Sequence, residues 1–207
     1  MRLMNKKSKK TRRNNKLQQI AKVATTVFFE KGYMQTTTKE IAEACNISVG
    51  TLYYYIKSKD DFPVIFGEIH NRNISRWEKE VRKEMQDMPP EEILKKAVRI
   101  YVYGVDKRQK MVLFWYNASK YLNGEQLQGM LDAETRVVTL FEEMVELCRQ
   151  KDQQNFFSDS FVTGYNIMML CHTWALKRWW LKRLYTIEQY AEMCEELAVA
   201  MAHANTI

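Results

Sequence analysis

Apolar residues recur at steps of three and four along most of the chain, the spacing of helices that bury one face. The first such run begins at Leu17 and stops at Gly32, a residue suited to the end of a helix. Only 7 glycines and 3 prolines punctuate the 207 residues, too few for a fold of many short strands. The sequence therefore predicts an all-α fold. After the first 60 residues, the helices expected from the pattern cover 59–85, 91–104, 107–121, 126–150, 158–184 and 186–203.

Between residues 36 and 59 the pattern changes to two short helices joined by a tight turn. Thr37 and Glu40 have the spacing of a capping box, so the first of these helices should begin directly after Thr37. Ser48 is a second N-cap residue, and it predicts another helix over 49–55.

This pair of helices has the composition of a helix-turn-helix motif. Such a motif needs a small residue in its first helix, an apolar residue in its turn, and a second helix whose first residues can face DNA bases. Ala42, Ile47 and Leu52 fit the structural roles. The outward positions are rich in hydroxyls and small groups, and two lysines follow them: Ser48, Val49, Gly50, Thr51, Tyr53, Tyr54, Tyr55, Lys57 and Lys59. Such a helix can enter the major groove and be held there by phosphate contacts.

The net charge of +7 is concentrated at the N-terminus. Residues 1–16 contain eight lysines and arginines and no acid, whereas the rest of the chain has 24 basic and 25 acidic side chains. A basic segment ahead of a nearly neutral body suggests an electrostatic aid to a structured DNA reader. We expect residues 1–14 to form a basic, disordered arm. The alternative is an extension that serves only solubility.

Several elements of residues 15–62 occur together in a characteristic order and spacing: Ile20 to Phe28, Gly32-Tyr33, Thr36-Thr37, Ile41-Ala42, Ser48 to Tyr53 and Lys57 to Asp60. In these features the segment resembles the N-terminal domain of the TetR family of repressors. The resemblance implies a three-helix DNA-binding domain over 15–60 and a larger helical domain over 61–207 for effector binding and dimerisation. It also implies a homodimer that binds a pseudo-palindromic DNA operator.

The same resemblance assigns roles to individual residues of the motif. Positions matching Thr38 and Lys39 meet phosphates or bases, those matching Val49, Gly50 and Tyr53 reach the groove, and those matching Tyr54, Tyr55 and Lys59 touch the DNA backbone. Tyr55 and Ile56 stand where many relatives carry histidine and phenylalanine, which leaves the operator sequence open. Two alternatives are structural: Leu52 and Tyr53 could pack on the first helix, and Gly50 could relieve crowding between helices.

A small-molecule effector is expected to bind among the helices between residues 61 and 180, which are rich in aromatic residues and methionine. Asn117, Asn166 and His172 could anchor its polar end. Plain hydrophobic core is the alternative for the apolar positions, and a satisfied core histidine is the alternative for His172. The candidate pocket residues are Tyr103, Phe114, Trp115, Asn117, Tyr165, Asn166, Met168, Met169 and His172. A lipophilic effector fits this composition, and an acyl-CoA is one version because lysines and arginines lie near the aromatics in sequence.

The last two long helices, over 158–184 and 186–203, have apolar faces wider than one core needs. The family resemblance implies that they pair with their symmetry mates in a four-helix bundle, which makes the homodimer. Lysines and arginines alternate with Trp174, Trp179 and Trp180. These cations either extend to solvent beside the dimer seam or form an anion site.

The remaining features argue against other classes of protein. None of His70, His172 and His203 has the spacing of a metal ligand relative to another histidine or a cysteine, and no glycine-rich phosphate loop occurs. We therefore expect no enzyme activity, no metal and no cofactor beyond the effector. An architectural DNA binder without an effector is the main alternative, and a site-specific recombinase would need a larger chain.

Cysteine usage and hydropathy indicate the compartment. The four cysteines are widely separated without a C-x-x-C pair, which suggests buried thiols in a reducing environment: Cys45, Cys148, Cys171 and Cys194. Apolar runs such as Met111 to Tyr116 are far shorter than the roughly 20 residues of a membrane span. No hydrophobic stretch follows the basic N-terminus as in a signal peptide. A cytoplasmic protein without membrane contact is expected.

Overall fold

The computed structural model of the chain describes residues 2–84, 88–122, 124–150, 156 and 158–204. In these ranges every regular element is helical, which confirms the predicted all-α fold. The elements are α1 (Arg2–Lys31), α2 (Thr38–Ala44), α3 (Val49–Tyr53), α4 (Asp61–Glu84), α5 (Pro90–Lys107), α6 (Gln109–Ala118), a 3₁₀ turn (Ser119–Tyr121), α7 (Gly124–Arg149), α8 (Ser160–Leu176), α9 (Arg178–Leu181) and α10 (Ile187–Ala202).

The chain divides into two compact units. The first comprises Met1–His70 and Leu113–Gly129, and the second comprises Asn71–Val112 and Met130–Ile207. The boundary expected after residue 60 therefore falls inside the first unit, which also recruits a segment from the middle of the chain.

An aromatic cluster explains why the first unit includes residues beyond the helix-turn-helix. Phe28 of α1 packs against Phe62 and Phe66 of α4, with ring centroids 5.5 and 6.1 Å away. Phe114 of α6 completes the cluster at 5.6 Å from Phe28 and 4.9 Å from Phe66. Since Phe62 and Phe66 are fully buried, these rings are the hydrophobic core of the unit.

The N-terminal segment is helical and not the disordered arm that its charge suggested. Helix α1 begins at Arg2, so residues 2–14 extend the amphipathic helix backwards. No glycine or proline occurs from Arg2 to Lys31, and lysine, arginine, leucine and glutamine are good helix formers. Side chains 11–15 are exposed. Backbone propensity therefore favours helix in this basic stretch.

Helix α5 lies against both α8 and α10 at the centre of the second unit. Its inward residues Leu94, Val98 and Val102 are fully buried. The indole of Trp77 in α4 donates a hydrogen bond to the Ala97 carbonyl, 3.2 Å away. Arg99 of α5 donates to Glu195 of α10 over 3.1 Å, so polar contacts at the edge of this core supplement its apolar packing.

Most helices end within three residues of the sequence-based expectation, but the helix predicted over 158–184 is broken. Helix α8 ends at Leu176, Lys177 leaves helical geometry at φ −115° and ψ 17°, and the short α9 follows. Asp106 of α5 accepts hydrogen bonds from the Trp174 indole, 2.7 Å away, and from the Arg178 guanidinium. These two contacts hold the chain on both sides of the break. Helix α3 is also shorter than expected, since it ends at Tyr53 rather than at residue 55.

Gly164 allows α8 to approach α7 closely. A Cβ atom at this position would lie 2.8 Å from the backbone nitrogen of Glu142 and 3.0 Å from the carbonyl oxygen of Val138. Both atoms belong to the α7 backbone, which cannot rotate aside as a side chain can. The helix crossing therefore requires glycine.

We predict that Gly164→Ala lowers the free energy of unfolding by about 1–3 kcal/mol, because the methyl group forces the two helices apart. Gly129→Ala in α7 is the matched control, since a Cβ there meets nothing within 4 Å. It should raise stability by about 0.5–1 kcal/mol through helix propensity. Urea unfolding followed by circular dichroism measures both. Equal effects of the two substitutions would contradict the packing argument.

Candidate functional site

The start of α2 is fixed by a capping box that is also tied to α1. The Thr37 backbone N–H donates to Glu40 Oε2 over 2.8 Å, and the Glu40 backbone N–H donates to Thr37 Oγ1 over 3.3 Å. Lys31 of α1 donates to the other Glu40 oxygen over 2.7 Å. The hydrogen bond from Lys31, followed by those from Thr37, lowers the pKa of Glu40 to about 2. The predicted capping box is confirmed.

The turn between α2 and α3 is formed as the sequence predicted. Asn46 takes up a positive φ of 52°, and the Ile47 backbone N–H donates to the Ala42 carbonyl over 3.0 Å. Asparagine tolerates this left-handed conformation better than most residues, which suits it to the end of a helix. Leu52 of α3 is completely buried. This geometry directs the opposite face of α3 outwards.

The outward face of α3 presents a glycine between small polar groups and two tyrosines. The side chains of Tyr53 and Tyr54 are 50% and 68% exposed. Tyr53 is therefore not buried against the first helix, as the structural alternative would require. A Cβ at Gly50 would meet only Ser48 Oγ, at 3.9 Å. Crowding within the chain therefore does not explain Gly50. The prediction that remains for Gly50 is that its lack of a side chain allows DNA to approach α3 closely.

Residues from the first turn of α2 lie beside this face. The hydroxyls of Thr38 and Tyr53 are 3.2 Å apart, so the beginning of α2 and the end of α3 meet. Lys39 in α2 and Lys57 after α3 are exposed. The structure thus brings hydroxyls, an open backbone position and lysines together on one surface, as a DNA-contacting motif requires.

Three of the predicted contact residues are already engaged within the chain. Ser48 Oγ accepts from the Thr51 backbone N–H over 3.0 Å, and the two hydroxyls are 2.8 Å apart. Lys59 donates to the carbonyls of Tyr33 and Met34 over 2.9 and 3.1 Å. The Lys59 ammonium therefore ties the end of the motif to the loop after α1. Burial raises the pKa of Tyr33, and its hydrogen bond to Asp60 raises the pKa further.

Arg13 is a candidate contact that the motif alone did not identify. Its guanidinium lies over the Tyr54 ring, 5.8 Å from the centroid, and the Tyr54 and Tyr55 rings are 5.2 Å apart. Its place beside α3 depends on the helical conformation of the N-terminal segment. The sequence showed the charge of Arg13 but not this position.

The structure divides the predicted effector residues between the two units. Phe114, Trp115 and Asn117 belong to the first unit, and the other six belong to the second. Phe114 packs in the aromatic cluster around Phe28, so it is core of the first unit. The boundary between the units falls inside α6, so the nine residues are divided between the two units, and their grouping in one effector pocket stays a prediction.

The six residues of the second unit differ in environment. Met168 is fully buried, and His172 Nε2 lies 2.9 Å from the Tyr101 hydroxyl, which makes it a satisfied core histidine. Tyr165 is 42% exposed and Tyr103 37% exposed. Asn166 is exposed and donates to the Val162 carbonyl of its own helix over 2.9 Å.

Two open cavities occur among described residues of the second unit, and neither has a predicted effector residue in its described lining. One, of about 810 Å³, lies at the end of α7 and the start of α8 around Arg149. The other, of about 480 Å³, is lined by residues of α4: Asn71, Arg72, Ser75, Arg76 and Lys79.

Large apolar side chains are exposed on α8 and α10. Phe161, Val162 and Tyr165 of α8 are 46%, 44% and 42% exposed, and Leu197 of α10 is 50% exposed. Phe161 and Tyr165 are one helical turn apart, so they share a face of α8.

Among the described residues, no three histidine, cysteine or acidic side chains come together as metal ligands would. No helix in the described part of the chain has both the length and the apolar character needed to cross a membrane. Cys148, Cys171 and Cys194 are buried free thiols, whereas Cys45 is half-buried.

Two sequence comparisons found similar proteins. One matches part of the first unit, and the other matches most of the chain. The family model for bacterial regulatory proteins of the tetR family matches residues 20–62. HbdR, an HTH-type transcriptional regulator of Aromatoleum sp. (strain CIB), is 29% identical over 175 residues, which cover 84% of this chain and 75% of HbdR.

Solved structures extend the likeness to the whole fold. A bacterial regulatory protein in the tetR family from Rhodococcus RHA1 has a TM-score of 0.80 at 21% identity, covering 93% of this chain and 98% of that protein. AibR, in complex with isovaleryl coenzyme A and operator DNA, has a TM-score of 0.68 at 21% identity, covering 92% of this chain and 100% of AibR. At these identities the two structures establish the fold.

We predict that Tyr53→Ala weakens binding to operator DNA by about 1–3 kcal/mol, because it removes an exposed side chain from the outward face of α3, which we expect to contact the DNA. Tyr121→Ala is the matched control, since Tyr121 is similarly exposed, at 48%, on the 3₁₀ turn of the same unit. Fluorescence anisotropy with labelled operator DNA gives both affinities. An equal loss in the two variants would remove α3 from the DNA interface.

Proposed function

Because this chain belongs to the TetR family of helix-turn-helix transcriptional regulators, we propose that it represses transcription from a pseudo-palindromic operator and leaves the DNA when a lipophilic effector binds. The observation that carries the proposal is the surface made by the first turn of α2 and the exposed face of α3. The proposal assigns the chain no catalytic role. Binding and release are its whole activity.

On the operator, α3 enters the major groove. Val49, Gly50 and Tyr53 face base edges, and the absence of a side chain at Gly50 lets the helix come close. Thr38, Lys39, Tyr54, Tyr55 and Lys57 contact the sugar-phosphate backbone, which sets the orientation of the motif. Arg13 adds a phosphate contact next to Tyr54. Ser48, Thr51 and Lys59 support the motif through their internal hydrogen bonds.

A homodimer presents two such motifs to the two halves of the operator. The exposed apolar residues of α8 and α10 support an isologous interface, in which each face packs against its own symmetry mate. Water-exposed side chains of this size cost free energy in a monomer, and a four-helix bundle of α8, α10 and their mates would bury them.

The effector is an acyl-CoA in this proposal. AibR, which has the same fold, binds isovaleryl coenzyme A as well as operator DNA. The second unit of this chain supports the class of ligand because it combines a largely apolar core with basic side chains around a cavity on α4. A thioester of coenzyme A has both an apolar and an anionic end, and such a site suits it.

The decisive experiment measures binding of the purified chain to the DNA upstream of its own gene, with and without isovaleryl-CoA. We expect tight, salt-sensitive binding to a defined sequence, because phosphate contacts release counterions, and loss of that binding when the acyl-CoA is added. Binding that no acyl-CoA disturbs would favour an architectural DNA binder. The absence of sequence-specific binding would refute the proposed function.

We predict that Tyr165→Glu weakens the dimer by about 2 kcal/mol or more, because it places a charge in the apolar interface. Leu131→Glu is the matched control: Leu131 is a similarly exposed apolar residue, at 43%, on α7 of the same unit. Sedimentation equilibrium measures both dissociation constants. If the two variants dimerise equally well, the interface lies elsewhere.

A further inference from the structure

Large apolar side chains are exposed on α9 and in the turn that follows it. Trp179, Trp180 and Leu184 each expose about half of their surface or more. Contiguous apolar surface of this kind marks a site of interaction, and tryptophan is enriched among the residues that contribute most to protein–protein binding. Residues 177–185 also contain four lysines and arginines and no acid, so we call this segment the basic patch.

Most cations of the basic patch are available to an external group. Arg178 is paired with Asp106 of α5. Lys177, Lys182 and Arg183 are exposed, and none of them has an ion pair with a residue that the structure describes. The basic patch therefore presents unmatched positive charge beside apolar surface.

An acidic patch lies at the opposite end of α8. Its members are Glu142 and Glu146 of α7 and Asp159, the N-cap residue of α8, which line the cavity of about 810 Å³ together with Phe161. Desolvation raises the pKa of Glu142, and the negative charges of Glu146 and Asp159 raise it further. The three carboxylates thus lie close enough to repel one another, and none is ion-paired with a described residue.

Arg149 also lines this cavity, but its guanidinium is committed to the fold. It is buried and donates to the Ala202 carbonyl over 2.8 Å, to the Ser158 carbonyl over 3.0 Å and to the Thr163 hydroxyl over 3.1 Å. Its positive charge acts on Asp159. One cation against three carboxylates leaves the described lining with an excess of negative charge.

The two patches are too far apart to neutralise each other within one chain. They flank α8, whose 17 residues span about 25 Å at 1.5 Å per residue. Exposed charges separated by more than about 8 Å are largely screened at physiological salt. A complementary charge at short range therefore has to come from another molecule.

We infer that the basic patch of one protomer docks on the acidic patch of a second copy of this chain, so that α8 runs antiparallel to its symmetry mate. Two-fold symmetry then makes the contact twice. A parallel arrangement would bring like charges together at both ends of α8. The inference rests on the proposed function, because it sets the direction and register of the homodimer proposed there.

The apolar surface follows the same path as the charges. The exposed face of α8 that carries Phe161 and Tyr165 begins in the acidic patch, and the exposed tryptophans of α9 follow the other end of α8. A volume of about 810 Å³ lies in the range of small-molecule sites, roughly 300–1,000 Å³, so the cavity has room for an indole ring. Its carboxylates can accept hydrogen bonds from indole N–H groups.

Sedimentation equilibrium of the full chain tests the charge pairing. We expect the dissociation constant of the wild-type dimer to rise between about 50 and about 500 mM NaCl, because salt screens the paired patches. Arg183→Glu should weaken the dimer by about tenfold or more, since like charges then meet at both ends. Lys83→Glu is the matched control: it makes the same charge change at an exposed position of α4 in the same unit.

Arg183→Glu should melt at the wild-type temperature, because Arg183 is exposed and has no ion pair among the described residues to lose. Weaker association by an equally stable protein assigns the effect to the interface. Equal dimer affinity in the wild type and Arg183→Glu would overturn the inference.

Exchange of charges tests the pairing in the opposite direction. Glu146→Arg should weaken its own homodimer as Arg183→Glu does. A mixture of the two variants should form a heterodimer about as tight as the wild-type dimer, because one end of α8 then has the native pair and the other end the same pair reversed. A mixture that associates no better than either variant alone would contradict the pairing of these two positions.

Cross-linking determines the direction of α8 across the dimer. The double variant Glu146→Cys/Arg183→Cys, treated with a short bis-maleimide, should give a covalent dimer, and neither single variant should. The wild type is the control for its own thiols, three of which are buried. Covalent dimers of a single variant would show that like ends of α8 meet, and no covalent dimer of the double variant would refute the register.

Operator binding by the same proteins separates this inference from the proposed function. An operator-binding dimer that is insensitive to these charge changes refutes the antiparallel register and keeps the repressor. A dimer that follows the charge changes but binds no operator keeps the register and refutes the repressor.

Discussion

The burial of Phe28 among aromatic rings from α4 and α6 is the interaction on which the DNA-binding half of the molecule depends. The neighbouring rings Phe62, Phe66 and Phe114 are fully or almost fully buried. Aromatic pairs of this kind are worth about 0.5–1.5 kcal/mol beyond the area that they bury. Helices α2 and α3 have only 7 and 5 residues, too few to be stable alone. They persist because α1, held by Phe28, provides a surface for them.

The polar groups of the helix-turn-helix serve two distinct purposes. Thr37, Glu40, Ser48 and Lys59 satisfy backbone groups or one another, which fixes the motif before any DNA is present. The side chains left on the outward face, such as those of Val49 and Tyr54, mostly make no such hydrogen bonds within the motif. A preorganised surface of this kind loses little conformational freedom when it binds.

In the second unit, charges are placed where helices meet. Asp106 of α5 binds two residues around the break between α8 and α9, and Glu195 of α10 binds Arg99 of α5. These pairs lie at the edge of an apolar core, where desolvation is partial.

Local patterns in the sequence determined the all-α fold, most helix boundaries, both caps of the helix-turn-helix and its turn at Asn46. These features depend on residues within one or two helical turns of each other, so spacing alone reveals them. The same reasoning misjudged the basic segment, because charge suggested disorder where the absence of breakers allows α1 to continue.

Only the tertiary structure decided which distant segments pack together. Phe114 follows Phe28 by more than 80 residues. An amphipathic pattern shows that a face is buried but not against what, so it does not reveal that Phe114 packs beside Phe28 and Phe66. The burial of His172 against Tyr101 depends likewise on a neighbour that the chain brings near only after folding, and no local periodicity encodes it.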